Sequence, residues 1–411
     1  MQKKVLVIGS VWPEPKSSAA GSRMLQLLSV FQKGGFSITF VSSCVKTENA
    51  VNLEELHIKT TTVELNNSSF DAFIKELQPD IVVFDRFMME EQYGWRVAEI
   101  VPSAIRILDT EDLHCLRKGR GEALKTNEVF SKKHLFNDVA KREIASIYRC
   151  DITLIISEYE MELLQDTFKV PAMLLYYLPF LVFVDKKQMQ ALPMYSDRKD
   201  FVTIGSFLHE PNYDAVLYLK KHIWPLLRKQ VPNASLYIYG SYESQKVTQL
   251  TNKAERFYIK GFAEDAGEVM QNARVCLASL RFGAGLKGKL MDAMQYRTPC
   301  VMTSIASEGI FAALPPNGFI ADDVNKFVEK ATSLYLNEGI WNDSVQHGEE
   351  VLRKRFDYHL FADEFLSSIE TLGKELSAHR LENFTGSMLA HHTMRSTMYM
   401  SKWIEAKNSL Q

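Results

Sequence analysis

The sequence predicts an α/β protein made of two parallel-sheet units in tandem, followed by a helical C-terminal extension. Three observations predict it. Short apolar, β-rich runs alternate with helix-length amphipathic segments. That alternation stops at a polar stretch and then restarts. Beyond about residue 357 the chain reads as helix alone. Continuous apolar strands separated by helices indicate parallel strands covered on both faces. A length of 411 residues suits two such domains, at roughly 100 to 200 residues each.

The first unit is expected over 1–184, with strands at 5–8, 38–41, 81–84, 105–108 and 152–156. A linker is expected over 185–200, where the polar stretches 185–188 and 195–200 flank Pro193. The second unit is expected over 201–365, with strands at 201–207, 235–239, 257–259, 275–279, 300–303 and 318–320. Between its first two strands, Leu219, Ile223, Leu226 and Leu227 fall at i, i+4, i+7 and i+8 and give one apolar helical face. The tail over 366–411 is helical and ends in a Met-rich segment. Its place after the second unit leaves it free to pack anywhere.

Composition narrows the function. The chain is 46% hydrophobic and 24% charged, which excludes disordered, collagenous and disulfide-scaffold classes. With 48 Lys plus Arg against 50 Asp plus Glu, the net charge of −2 lacks the basic excess that phosphate-backbone binding needs, so nucleic acid is not expected as a partner. Five scattered cysteines without a Cys-x-x-Cys pair, and a first strand too close to Met1 for a secretory signal, point to the cytoplasm. The longest apolar stretch, 173–184, is broken by Pro179 and is shorter than the roughly 20 residues of a spanning helix. It reads as a buried strand or as a peripheral membrane contact.

The most informative segment is Leu280-Arg281-Phe282-Gly283-Ala284-Gly285-Leu286-Lys287-Gly288-Lys289. A strand, a Gly-x-Gly turn and a helix bring backbone N–H groups and the positive end of a helix dipole to one point, and two lysines add full charges. Leu286, Leu290, Ala293 and Met294 share one inward face, which leaves Lys287 in the first turn near the proposed anion. The same residues also fit a tight turn followed by an ordinary surface pair of Lys289 with Asp292.

This segment, continued through Pro299 to Ser307-Glu308-Gly309, resembles the donor-binding segment of family 4 (group 1) glycosyltransferases of the GT-B fold. Two further stretches are similar to the same family: the one from Ile204 through Gly205, Ser206, His209 and Asn212 to Ala215, and the one from Cys150 through Ser157 to Glu160. The resemblance covers roughly 1–365 and implies two Rossmann-like domains facing across a cleft. The second would hold a nucleotide-sugar donor and the first an acceptor. It implies that Lys287 and Lys289 neutralise the donor pyrophosphate with Arg281 close by, Arg281 and Lys287 being the catalytic candidates. It places Gly205, Ser206, Gly283 and Gly285 around the phosphates, Asp292 at the ribose, and Glu308 at the sugar or phosphate end. Gly21, within Ser18-Ala19-Ala20-Gly21-Ser22, matches a small-residue loop that approaches the donor from the first domain; it reads equally as a helix start with a serine cap.

The expected activity is therefore retaining, metal-independent transfer of a sugar from a nucleotide diphosphate sugar to a glycan, lipid-linked or small-molecule acceptor hydroxyl, with no further cofactor. A catalytically silent donor-binding or scaffold protein is the alternative, and a nucleotide-sugar epimerase a further one. Two departures motivate the first alternative. Where many family members carry two glutamates, this chain has Ala284 and Asp292, and where the family often has histidine it has Glu111, with His114 nearby. Dehydrogenase, serine hydrolase and phosphate-loop motifs are absent. His391-His392 reads as a surface pair, since adjacent helical residues point about 100° apart. Arg117-Lys118-Gly119-Arg120 reads as a solvated charge run or a contact for an acidic acceptor.

Overall fold

A computed structural model describes residues 2–408. It contains two parallel sheets. The first runs β3-β2-β1-β4-β5-β6-β7, with β1 Lys4–Gly9, β2 Ser37–Ser42, β3 Lys59–Thr62, β4 Ile81–Asp85, β5 Ile105–Asp109, β6 Ile152–Ile155 and β7 Leu175–Tyr177. The second runs β10-β9-β8-β11-β12-β13, with β8 Lys199–Ile204, β9 Leu236–Tyr239, β10 Phe257–Gly261, β11 Ala273–Ala278, β12 Cys300–Met302 and β13 Gly318–Ile320. Each sheet is sandwiched between two apolar clusters, as its continuous apolar strands require. This is the predicted pair of Rossmann-like domains.

One strand was not expected: β3, Lys-Thr-Thr-Thr, is a polar edge strand. The apolar stretch 173–184 holds β7, a strand being one of its two readings. The strand expected at 201–207 stops at Ile204, because the chain turns at Gly205 with φ 157°. The helical face over 219–227 is present, with Leu219, Ile223 and Leu227 fully buried in the second core.

The helices that position the site are α1 Ala19–Lys33, α2 Phe87–Ile100, α3 His114–Lys125, α4 Asp138–Arg149, α5 Glu158–Glu162, α6 Glu210–Tyr218 and α7 Gly288–Gln295. The two long C-terminal helices, α8 Tyr358–Glu382 and α9 Phe384–Asn408, return to the first domain. Tyr358, Ala362, Phe365, Ile369 and Leu372 recur at helical spacing and join Val30, Phe31, Ile105 and Ile107 in its core. Arg380 then clamps Asp151 at 2.7 and 2.8 Å, and α9 packs on α2 and α4. No described helix is long and apolar enough to cross a membrane.

In each sheet the strand order reverses at its centre, between β1 and β4 and between β8 and β11. Open α/β sheets bind ligands in the crevice at the carboxyl ends of strands on either side of such a reversal. In the second domain that crevice is bordered by the loop after β8, carrying Gly205 and Ser206, and the loop after β11, carrying residues 279–287.

Candidate active site

The loop after β11 owes its shape to its glycines. Gly283 and Gly285 have φ of 150° and 63°, conformations that side chains resist. A Cβ on Gly285 would lie 2.8 Å from the Cβ of Asp112 in the first domain, so the loop is also in close contact across the seam. Lys287 is the N-cap residue of α7, and Leu290, Met291, Ala293 and Met294 hold that helix in the core. The Lys287 ammonium folds back to donate to the carbonyls of Ala284 (3.0 Å) and Gly285 (2.6 Å) and is 8% exposed. Burial brings its pKa down to about 8, against the opposing fields of Glu308 and Glu160. Lys289, also lowered to about 8 by burial, donates to Asn212 Oδ1 at 3.0 Å.

Asn212, on α6, ties the two loops together: its Nδ2 donates to the Ser206 carbonyl at 3.0 Å while its Oδ1 accepts from Lys289. A Cβ on Gly205 would strike this amide at 2.7 Å. Gly205, Ser206, Gly283, Gly285, Lys287 and Lys289 thus share one corner of the second domain. Asp292, half-buried on α7, is raised to about 7 by burial, with Lys289 opposing. Arg281 is engaged elsewhere. Its exposed guanidinium pairs with Asp214 and lies 4.9 Å over the Tyr218 ring. Asp214 is two residues past Asn212, about 200° round α6, so Arg281 and Lys289 grip different faces of that helix.

The first domain meets this corner with charge. Glu160, on α5, is fully buried, and its Oε1 accepts from the Gly285 N–H (2.7 Å) and the Leu113 N–H (3.1 Å). Burial, then the field of Asp112, raises it to about 8. Burial pushes Asp112 up, but Arg117, His114 and His209 prevail and hold it below its usual range. His114, 3.4 Å from Asp112, and His209, at the start of α6, are both lowered to about 4, chiefly by burial. Glu111 stands at φ 61°, and burial with Asp109 beside it raises its carboxyl well above the usual range. Asp109 itself is fully buried and pairs with Arg23 at 3.0 Å.

Gly21 lies near the seam in the first turn of α1. Ser18 caps that helix by accepting from the Gly21 N–H at 3.1 Å. A Cβ on Gly21 would fall 2.4 to 2.6 Å from the backbone of Glu14, so its missing side chain makes room for the 14–18 turn. It is Ala19 that touches the second domain: a Cβ on Gly288 would lie 2.5 Å from the Ala19 Cβ. Ser241 Oγ donates to the Ser17 carbonyl at 3.2 Å, and the Tyr242 hydroxyl to Glu14 at 2.7 Å.

The stretch 117–120 is no solvated charge run. Arg117 pairs with Asp112, and Arg120, 8% exposed, forks onto Glu308. Only Lys118 points away; Arg117 is half-buried against Asp112, five residues upstream, and Arg120 is buried because its partners lie across the fold, which local sequence does not encode. Sequence reasoning likewise gave no role to Asp112, His209 or Glu160; Glu160 had a signal, since a glutamate at the start of a helix at the C-terminal end of a sheet sits beside that sheet's crevice. Among the described residues, no three His, Cys, Asp or Glu side chains are grouped to hold a metal ion.

Residues 198–337 match the family described as Glycosyl transferases group 1, which is the second sheet with its helices. Comparison with curated proteins gives no match. Several solved structures share the fold at low identity. Sucrose-phosphate synthase from Thermosynechococcus elongatus superposes with a TM-score of 0.69 at 13% identity, over 90% of this chain and 99% of that one. Anabaena Alr3699/HepE in complex with UDP and glucose does so at 0.66 and 11%, over 90% and 100%. The G117R mutant of S. aureus TarM, in complex with Fondaparinux, alpha-GlcNAc-glycerol and UDP, superposes at 0.57 and 13%; 72% of this chain is covered and spans 57% of that one. These likenesses establish the two-domain GT-B fold.

Proposed function

We propose that the protein is a group 1, family 4-like glycosyltransferase that moves a sugar from a nucleotide diphosphate sugar to an acceptor hydroxyl with retention of configuration and without a metal ion. One observation carries the reading: Lys287, Lys289, the Gly283–Gly285 turn and the N-terminus of α7 converge on the second domain's crevice, opposite a first-domain loop in van der Waals contact. As the glycosidic bond breaks, negative charge grows on the leaving diphosphate. Fixed N–H groups and buried ammonium groups stabilise that charge more than they stabilise the ground state. Lys287 spends its donors on two loop carbonyls, which hold the loop; turning toward an incoming diphosphate exchanges neutral acceptors for charged ones.

Two ammonium groups and a helix terminus supply the positive charge that a divalent ion would otherwise bring. Asp292 replaces a longer carboxylate at the ribose, Glu308 faces the sugar or phosphate end, and the first domain receives the acceptor. The free thiols of all five cysteines accord with a cytoplasmic setting. Nucleoside diphosphate release from a panel of UDP-, GDP-, ADP- and dTDP-sugars, with and without EDTA, tests the reading. Release that persists in EDTA is expected. No release from any donor refutes the activity, and loss in EDTA restored by manganese refutes the metal-free mechanism.

A further inference from the structure

Arg120 belongs to the first domain, on α3, yet every hydrogen bond of its guanidinium goes to the second. Nη1 donates to the Gly283 carbonyl at 2.9 Å and to Glu308 Oε1 at 2.9 Å, and Nη2 donates to Glu308 Oε2 at 2.7 Å. The group is packed against the rings of Tyr159 and Phe130, at 5.2 and 5.7 Å. Its two neighbours in sequence are glycines that let the helix come this close. A Cβ on Gly119 would meet the His134 carbonyl at 2.5 Å, and one on Gly121 would meet the ring of Phe282, next to Gly283, at 3.1 Å.

We infer that Arg120 is a positioning residue for sugar transfer, which aligns the donor-side groups Glu308 and the Gly283–Gly285 turn only when the two domains are together. The inference rests on the proposed donor site. A forked guanidinium fixes the carboxylate plane of Glu308 and pins the carbonyl of Gly283 at once, and lysine cannot reproduce that geometry. It also neutralises Glu308. Because the fork forms across the seam, it acts on the closed, reacting state and leaves nucleotide binding to the second domain alone.

The test uses full-length wild type, R120A, R120Q and R120K with the donor that wild type turns over fastest in the sugar-nucleotide panel, and the matching nucleoside diphosphate for binding. Expected are diphosphate Kd values and donor KM within about threefold of wild type, with kcat lowered about 100-fold in R120A and R120Q and about 10-fold in R120K. A folded R120A or R120Q with kcat within threefold of wild type overturns the inference, as does a Kd that weakens in step with kcat. Should R120A fail to fold, the glutamine and lysine variants keep the side-chain volume and carry the same comparison. A wild type that releases no diphosphate from any donor refutes the functional reading instead, so the two failures are separate.

Discussion

Replacing Gly288 with alanine adds one methyl group where the two domains touch. Gly288 is the first residue of α7, is not among the glycines with positive φ, and would gain helix propensity worth up to about 1 kcal/mol. Within its own domain the substitution is therefore neutral or mildly stabilising. Across the seam it is not: the new Cβ would stand 2.5 Å from the Ala19 Cβ, where carbon atoms settle at roughly 3.5 to 4.0 Å. A methyl on a helix start has no rotamer to yield, so the domains must part by about 1 Å. A misplacement of that size costs on the order of 100-fold in rate. Thermal melting, diphosphate affinity and turnover measured on one preparation should show an unchanged or raised Tm, near-normal affinity and turnover down about 100-fold. Ala19→Gly in the same chain removes the opposing methyl and leaves the Ala19 Cα, at 3.5 Å, as the nearest atom, so the double variant should recover most of the activity. Full turnover in Gly288→Ala refutes the reasoning, as does a folded double variant that stays as slow as the single.

Lys287→Ala should keep the fold and weaken nucleoside diphosphate binding by roughly 10- to 100-fold, the equivalent of about 1.5 to 3 kcal/mol for a charged hydrogen-bond partner, as read by calorimetry. Stability should fall on acidification for a reason found at the seam. His114 and His209 have folded pKa values of about 4 against an unfolded value near 6.5, so the unfolded chain binds more protons between those limits. Their contribution is complete above pH 6.5 and is lost as pH falls toward 4. The urea midpoint of a His114→Gln/His209→Gln variant should drop less than that of wild type between pH 7.5 and 5; an equal drop removes the histidines from the account.

What was legible in the sequence follows from how local each signal is. Eight of the eleven expected strands sit within a residue of their observed limits, because buried parallel strands are continuous β-branched runs bounded by polar residues. The edge strand Lys59–Thr62 has no apolar face to betray it. The turn around Gly283 and Gly285 announces itself through residue types that only such backbone angles demand. The C-terminal helix shows an apolar stripe from Tyr358 to Leu372, but a stripe names no partner, and the core it seals lies more than 200 residues upstream. Arg120 left no local trace at all. Its partners Gly283 and Glu308 are 163 and 188 residues away, and in sequence an arginine in a basic run looks the same whether solvated or buried.

The chain crosses between the domains twice, and the crossings are hydrogen-bonded to each other. The Val182 N–H donates to the Phe356 carbonyl at 2.7 Å, and the Tyr358 N–H to the Val182 carbonyl at 2.9 Å. Each crossing is anchored in the opposite body: Phe180 and Val182 pack into the second core, and Tyr358 into the first. The two crossings meet at the single bridge of Val182 with Asp357 and bend together, so relative motion of the domains reduces to rotation about that one point. Ala19 against Gly288 and Arg120 against Glu308 then come together in a single movement, and blocking either blocks the same closed state. Gly288→Ala and Arg120→Ala should consequently be far from additive: if each alone lowers kcat about 100-fold by preventing closure, the pair together should remain within about tenfold of the slower single variant. A double variant slowed by the full product, about 10,000-fold, would mean that the two contacts act independently and that closure is not one event.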